Sequence, residues 1–121
     1  MKPREIKTKI RGVSYKNPDG SDRQAIIRKH IHGGCELLLA REPDNPHSET
    51  GNAVSVWYEK RGVLRRKRLQ LGYLGSDLSD EVAPLLDLKW RYRVVVLGIT
   101  GGSRQQPTRG VNIKIELHPP E

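Results

Sequence analysis

A short proline-rich segment, REPDNPH at residues 41–47, contains the side chains of this chain that are best suited to ligand binding. Each proline fixes its own φ and pushes the residue before it toward extended geometry, so we expect a stiff loop. A loop that is ordered in advance loses little entropy when it binds a ligand. The segment is therefore a candidate wall of a binding site, with Asn45 and His47 at its mouth. The alternative is that Asp44 and Asn45 act only as turn residues that hydrogen-bond their own backbone.

The residues with catalytic or metal-binding potential lack the partners that such chemistry needs. HIHGGC, at residues 30–35, holds three metal-ligand side chains, but on a helix His30 and His32 would point about 200° apart, and no second cysteine pair completes a zinc motif. Pro43-Asp44 is not followed by the Glu-x-Lys of nucleases, and neither a P-loop nor a nucleophile with a general base is apparent. The sequence predicts a protein that is not an enzyme and has no metal or cofactor.

Basic residues dominate the charge of the chain. The formal net charge is +8 at pH 7 over 121 residues, which favours a polyanionic partner such as nucleic acid, although a basic composition can also serve solubility alone. Residues 59–68 alone carry +5. On a strand, Arg66 and Arg68 share one face and Arg65 and Lys67 the other, so only part of the cluster can meet one phosphate path. A solvated edge that prevents aggregation is the alternative. The predicted phosphate-contacting residues are Lys60, Arg61, Arg65, Arg66 and Arg68.

The length and composition fit one soluble domain over residues 1–121. The longest apolar stretch, VVVLGI at residues 94–99, is far below the roughly 20 residues that a membrane span requires, and the start of the chain lacks a signal-like segment. The lone Cys35 agrees with a reducing compartment. We expect a cytoplasmic protein without a membrane partner, associated with the nucleoid if it is bacterial.

Hydrophobic periodicity predicts six strands and two helices. A capping-box spacing between Ser21 and Gln24 predicts a helix over residues 21–34, with Ile27 and Ile31 facing inward. A second short helix is predicted over residues 76–87, with Ser76 or Ser79 as its N-cap. The predicted strands cover residues 6–15, 35–40, 53–59, 64–74, 91–100 and 111–117.

These elements favour a mainly β fold. Six strands with two short helices and no internal repeat predict an OB-like architecture, a strongly bent six-stranded sheet or partly open barrel with helices at its ends. Trp57 and Trp90 lie in apolar strand context and are predicted to be core residues. The basic segment forms the hairpin between the third and fourth strands, and residues 101–110 form a polar loop.

Several segments, taken in order, resemble the HIRAN domain family. They are IRGVSY (10–15), RQAIIRK (23–29), LLLAREPDNPHSETGNAVSV (37–56), LGYLGSDLSDEVAPLL (71–86) and GVNIKI (110–115). The resemblance covers nearly the whole chain. It implies an OB-like domain that binds single-stranded DNA, captures a 3′-hydroxyl end, and works in DNA repair or replication-fork processing beside a helicase or nuclease partner.

The resemblance also implies a set of site residues. Tyr15, which follows Gly12, matches an aromatic residue of the family's pocket, and Asn45 matches a pocket asparagine. His47 and Ser48 stand where end-binding members carry Tyr followed by Asp, so Glu49 is the candidate replacement for the acid. Tyr73 falls where a relative has His, and Ser76 where that relative has a phosphate-binding Lys. The predicted DNA-binding residues are Gly12, Tyr15, Arg41, Asn45, His47, Ser48, Asn52 and Tyr73.

The sequence therefore predicts a binding module that holds single-stranded DNA in a pocket of aromatic and polar side chains, with the 3′ end as a candidate ligand. DNA and RNA are not distinguished at this point. The alternative is a protein-interaction module whose basic hairpin docks an acidic partner.

Overall fold

The computed structural model of the protein describes residues 2–121. Six strands and two helices follow one another along the chain, and their bounds match the predicted elements closely at most ends. They are β1 (Arg4–Lys9), α1 (Arg23–His30), β2 (Glu36–Arg41), β3 (Val54–Arg61), β4 (Arg66–Tyr73), α2 (Ser76–Asp87), β5 (Arg91–Thr100) and β6 (Gly110–His118).

The strands form one antiparallel sheet in the order β1-β6-β5-β2-β3-β4. Two well-paired halves, β1-β6-β5 and β2-β3-β4, are joined by a short β2–β5 pairing in which Glu36 lies opposite Val95 and Leu37 opposite Val94. Because this junction is only two residue pairs long, the sheet can bend there. The prediction of a mainly β, bent six-stranded sheet with two short helices is confirmed.

The two edges of the sheet touch at a second point. Arg11 and Tyr73 form an isolated antiparallel bridge with N···O distances of 2.7 and 2.9 Å, so the segment after β1 meets the end of β4. Gly72 permits this approach, because a Cβ on it would lie 2.2 Å from the carbonyl oxygen of Arg11. The bend thus brings the segment after edge strand β1 close to the other edge strand, β4.

The core lies between the two halves and the helices. Val111, Ile113, Ile115 and Leu117 of β6 are fully buried, as their strict alternation predicts. Helix α1 contributes Ile26 and Ile27, and α2 contributes Val82 and Ala83. Trp90 is buried, as expected, whereas Trp57 is half-buried and donates its ring N–H to the Ser55 hydroxyl at 2.7 Å.

Three local predictions were wrong. The first strand ends at Lys9 rather than near Tyr15, because Gly12 takes a positive φ of 74° and a turn follows it. Asp22, not Ser21, is the N-cap of α1, since the Ser21 hydroxyl is already bonded to Asp19 at 2.6 Å. Helix α2 begins after Gly75 without a side-chain cap.

Neither helix within residues 2–121 has the length and apolar character needed to cross a membrane.

Candidate functional site

A groove of about 1040 Å³ opens where the two edges of the sheet meet. Three segments line it together with Arg23 of α1: residues 11–18 after β1, residues 45–53 of the β2–β3 loop, and residues 73–80 at the junction of β4 and α2. The Arg11–Tyr73 bridge fixes the first and third segments relative to each other. Seven of the eight predicted DNA-binding residues line this groove: Gly12, Tyr15, Asn45, His47, Ser48, Asn52 and Tyr73.

The β2–β3 loop is a tightly hydrogen-bonded wall. The side-chain oxygen of Asn45 accepts from the backbone N–H of His47 at 2.9 Å, and the Asn45 carbonyl accepts from Ser48 N–H at 3.0 Å. The Ser48 hydroxyl accepts from Gly51 N–H at 3.1 Å. Asn45 therefore does act as a turn residue, and it also lines the groove, so the two interpretations of this residue are compatible.

Asn45 is held in place by a neighbouring carboxylate and phenol. Its amide nitrogen donates to Glu42 Oε1 at 3.2 Å and to the Tyr73 hydroxyl at 3.3 Å, while that hydroxyl donates to Glu42 Oε1 at 2.9 Å. The three side chains share one hydrogen-bond network between the loop and the end of β4. This network sets the orientation of the groove-facing amide.

Two tyrosine rings face the groove from different segments. Tyr15 is 68% exposed, and its backbone N–H closes a turn onto the Gly12 carbonyl at 3.2 Å. Tyr73 is half-buried and lies with its ring 5.5 Å from the guanidinium carbon of Arg23. Neither ring is sealed in the core; Tyr15 can offer a face to a planar ligand, whereas Arg23 covers one face of Tyr73.

Arg23 is a site residue that the sequence did not reveal. It lines the groove although it is only 5% exposed. Its guanidinium donates to the Asn17 side-chain oxygen at 2.7 Å and to the Gly12 carbonyl at 2.8 Å, both neutral acceptors. Among residues 2–121 it forms no ion pair. A buried cation without a carboxylate is costly, so an anionic ligand would stabilise it.

One sequence feature could have identified Arg23 as a site residue, namely its position in the first turn of a helix. The positive end of the helix dipole disfavours a basic residue there, and Arg23 is the first residue of α1. Helix stability therefore does not explain a basic residue at this position, and a binding role is a candidate explanation.

The groove is lined by charges of both signs. The cations Arg11, Lys16 and Arg23 and the acids Glu49, Asp77 and Asp80 all contribute to the lining. Asp80 also accepts from the Thr50 hydroxyl at 2.9 Å and the Asn52 amide at 3.2 Å, which ties the loop to α2. Cations suit phosphates, whereas carboxylates and amides suit sugar hydroxyls.

Arg41 does not line the groove. Its guanidinium forms a bidentate ion pair with Asp87 at 3.0 and 3.2 Å and donates to the carbonyls of Gly51 and Ala53 at 3.0 and 3.3 Å. The hydrogen bond from Arg41 lowers the pKa of the Asp87 carboxyl. Arg41 thus anchors the base of the loop to α2.

The five predicted phosphate-contacting residues are exposed and lie away from the groove. Lys60 and Arg61 end β3, and Arg65, Arg66 and Arg68 follow the turn into β4. Tyr73 is at the opposite end of β4, seven residues from Arg66. At about 3.3 Å per residue this separation is about 23 Å. The basic hairpin is therefore a second, separate surface.

The chain matches known proteins at two levels. Residues 3–118 match the model of the HIRAN domain. A crystal structure of a protein from Lactobacillus plantarum is similar with a TM-score of 0.64 and 22% sequence identity, and the match covers 97% of this chain and 99% of that one. This likeness supports the fold. No match was found among curated proteins.

Proposed function

Because this chain belongs to the HIRAN domain family, a family of nucleic-acid-binding modules, we propose that its groove binds single-stranded DNA. The terminal nucleotide lies between the two tyrosines, with its base stacked on Tyr15. Arg23 and Lys16 take its phosphates, and Asn45 and His47 contact the sugar from the loop side. The protein binds and presents the strand without cutting it.

One observation carries this proposal: an exposed aromatic ring and a buried, unpaired cation line the same groove. Base–aromatic stacking contributes about 1–3 kcal/mol per base and tolerates any sequence. The Arg23 guanidinium donates one N–H each to two neutral acceptors, so further N–H donors remain for a phosphate oxygen. Together they match the two chemically different parts of a nucleotide.

Recognition of a 3′ end requires an acceptor for the terminal hydroxyl. Ser48 stands where the resemblance would place an acid, and its hydroxyl is used within the loop. Glu49, the next residue, lines the groove. We assign the Glu49 carboxylate as the acceptor that favours a free 3′-hydroxyl over a 3′-phosphate, because two negative groups would repel each other.

Fluorescence anisotropy with short oligonucleotides that end in 3′-hydroxyl or 3′-phosphate tests both parts. Tyr15→Ala should weaken binding of either oligonucleotide by about 1–3 kcal/mol, since it removes the stacking ring. Tyr15→Phe keeps the ring and is the matched control. Glu49→Gln should reduce the preference for the hydroxyl end while leaving stacking intact.

The outcomes separate the claims. Equal affinity of the wild type and Tyr15→Ala for both oligonucleotides would refute the groove as a DNA site. Weaker binding by Tyr15→Ala without any preference between the two ends would retain stacking and remove end recognition. Because the Tyr15 side chain is 68% exposed, its truncation should leave the free energy of unfolding unchanged.

A module of this kind acts beside an enzyme that processes the strand. We propose a role in DNA repair or replication-fork processing in the cytoplasm, where a helicase or nuclease partner uses the bound end. Pull-down of such an enzyme that depends on the bound oligonucleotide would support this placement.

A further inference from the structure

The tip of the basic hairpin exposes two apolar side chains that nothing in the described chain, residues 2–121, covers. Val63 is 102% and Leu64 is 94% exposed. The turn is closed by a hydrogen bond from Gly62 N–H to the Arg65 carbonyl at 2.8 Å, so the apolar pair lies at the outermost point of a paired two-stranded ribbon. Aliphatic side chains this exposed indicate a contact surface when they adjoin a dense charge cluster.

Cations lie on both faces of this ribbon. Directly opposite residues of an antiparallel pair share a face, and the register pairs Arg61 with Arg66 and Lys60 with Lys67. Residues two apart along a strand also share a face, so Arg68 joins the first pair, where it lies opposite Glu59, and Arg65 joins the second. Within residues 2–121 none of these six cations forms an ion pair. Like charges placed directly opposite each other destabilise a free hairpin, so an anionic partner relieves a built-in repulsion.

We propose that the hairpin formed by residues 59–68 enters the major groove of double-stranded DNA, tip first. Each cationic face then meets one of the two phosphate backbones, and Val63 and Leu64 contact the base edges at the floor. The major groove is about 12 Å wide and admits a two-stranded ribbon, whereas the minor groove, at about 6 Å, is too narrow for a ribbon with side chains on both faces.

The arrangement of charge favours a duplex over other polyanions. A single strand offers one phosphate path and would engage only one face of the ribbon. A membrane surface is typically met by segments that include Trp or Tyr at the interface, and residues 59–68 contain no aromatic residue. In a duplex, the two phosphate backbones match the two cationic faces of the ribbon. The methyl groups on the base edges of the major groove match its apolar tip.

The hairpin can bind a duplex whether or not the groove holds a single strand. If the groove also holds a single strand, as proposed above, the separation of about 23 Å along β4 would let one protein contact a single-stranded end and the duplex next to it. A duplex with a 3′ single-stranded tail would then bind more tightly than either part alone, because the two contacts act within one complex.

The first test uses a double-stranded dumbbell whose strands are closed by loops at both ends, so that no strand end is present. Val63→Ser with Leu64→Ser should weaken dumbbell binding about ten-fold, because the aliphatic groups that the duplex would partly bury are removed. Binding of a single-stranded oligonucleotide should stay unchanged. Leu88→Ser, at another exposed leucine, is the matched control and should alter neither.

The second test separates the two faces. Lys60→Gln with Lys67→Gln and Arg61→Gln with Arg66→Gln remove equal charge from opposite faces. Each pair should lower the slope of log affinity against log salt for the dumbbell by up to about 1.8, at about 0.9 per phosphate contact. If only one pair changes the slope, the ribbon lies flat on the DNA, and tip-first insertion is wrong.

Other results would overturn the proposal. Dumbbell binding that is unaffected by the tip and face variants would remove the hairpin as a duplex contact. Tip-dependent binding to vesicles with anionic lipid, or to poly-glutamate, combined with no tip-dependent binding to the dumbbell, would assign the hairpin to a membrane or an acidic protein instead. Tyr15→Ala should weaken single-strand binding and leave the dumbbell affinity unchanged, because Tyr15 lies in the groove and not in the hairpin. The groove proposal and the hairpin proposal can therefore fail separately.

Discussion

At the level of single residues, Arg23 links the stability of the fold to its binding chemistry. It is buried, has only neutral acceptors, and faces both the Tyr73 ring and the groove. Arg23→Gln should weaken binding of single-stranded DNA by about 1.5–3 kcal/mol, the range of hydrogen bonds to charged groups. It should also lower the salt slope by about 0.7 for each phosphate that the variant no longer neutralises. Anisotropy titrations at several salt concentrations measure both quantities.

Arg104→Gln is the matched control for this prediction, because it removes the same charge from an exposed position outside the groove. It should leave the salt slope for single-stranded DNA unchanged. If Arg23→Gln lowers the affinity but keeps the full salt slope, Arg23 supports the Gly12 turn rather than contacting phosphate.

The Tyr73 hydroxyl connects the end of β4 to the β2–β3 loop. It donates to the Glu42 carboxylate and accepts from Asn45, so Tyr73→Phe breaks the network that orients the loop. The free energy of unfolding should fall by about 1.5–3 kcal/mol, the range for a hydrogen bond to a charged group. Urea denaturation measures it. Tyr15→Phe is the same chemical change at an exposed ring and should cost nothing measurable; an equal decrease in both variants would contradict the network.

At the level of elements, the contact between the sheet edges depends on one glycine. In Gly72→Ala the new methyl group would overlap the Arg11 carbonyl, which is backbone and cannot turn aside. The Arg11–Tyr73 bridge should open, and the free energy of unfolding should fall by about 3 kcal/mol, at the upper end of overpacking costs. Thermal and urea denaturation, with oligonucleotide binding as a second measurement, test the change.

Gly98→Ala provides the control for the edge contact. Gly98 is also in a strand, but its Cβ would meet nothing within 4 Å and its φ is not positive. This variant should change stability little. Equal stability of the two alanine variants would show that the bridge does not hold the edges together.

Local sequence patterns predicted some features of these elements and missed others. The alternation of β6 identified its four buried residues, because a period of two is a local pattern that burial on one face requires. The N-cap of α1 was missed because Asp19 takes the Ser21 hydroxyl, and the Gln24 side chain reaches Arg109 instead of its own helix. Local sequence patterns cannot predict a contact between residues that are 85 positions apart.

At the level of the whole molecule, the groove depends on the order of the strands. The pairing of β2 with both β3 and β5, and the meeting of Arg11 with Tyr73, arise from the bend and not from any one segment. Sequence patterns predicted the strands and most groove residues but could not place Arg23 beside Tyr73, because α1 and β4 are brought together only by the complete fold. Arg41 was predicted to bind DNA and is close to the loop in sequence, whereas its side chain pairs with Asp87 of α2.

The positive charge of the molecule also affects the pKa of one of its histidines, His30. His30 stacks on Tyr58 with ring centroids 5.5 Å apart, at the end of α1. Burial is the main cause that lowers the pKa of His30, and the charges of Lys29 and Lys60 lower it further. The folded protein therefore binds a proton here less readily than the unfolded chain does.

This depressed pKa predicts how stability responds to acid. His30 contributes stability that is fully present above the ordinary pKa of 6.5 and is lost as the pH falls below it, because the unfolded chain then takes up the proton first. The free energy of unfolding should decline as the pH falls below 6.5. The carboxyls of Asp19 and Asp87, whose pKa values are also lowered, cause a second decline below their ordinary 3.8. Urea denaturation across this range measures both steps. His30→Gln should flatten the first decline and keep the second, with His47→Gln as the control for removal of a histidine; a first decline unchanged in His30→Gln would contradict the assignment.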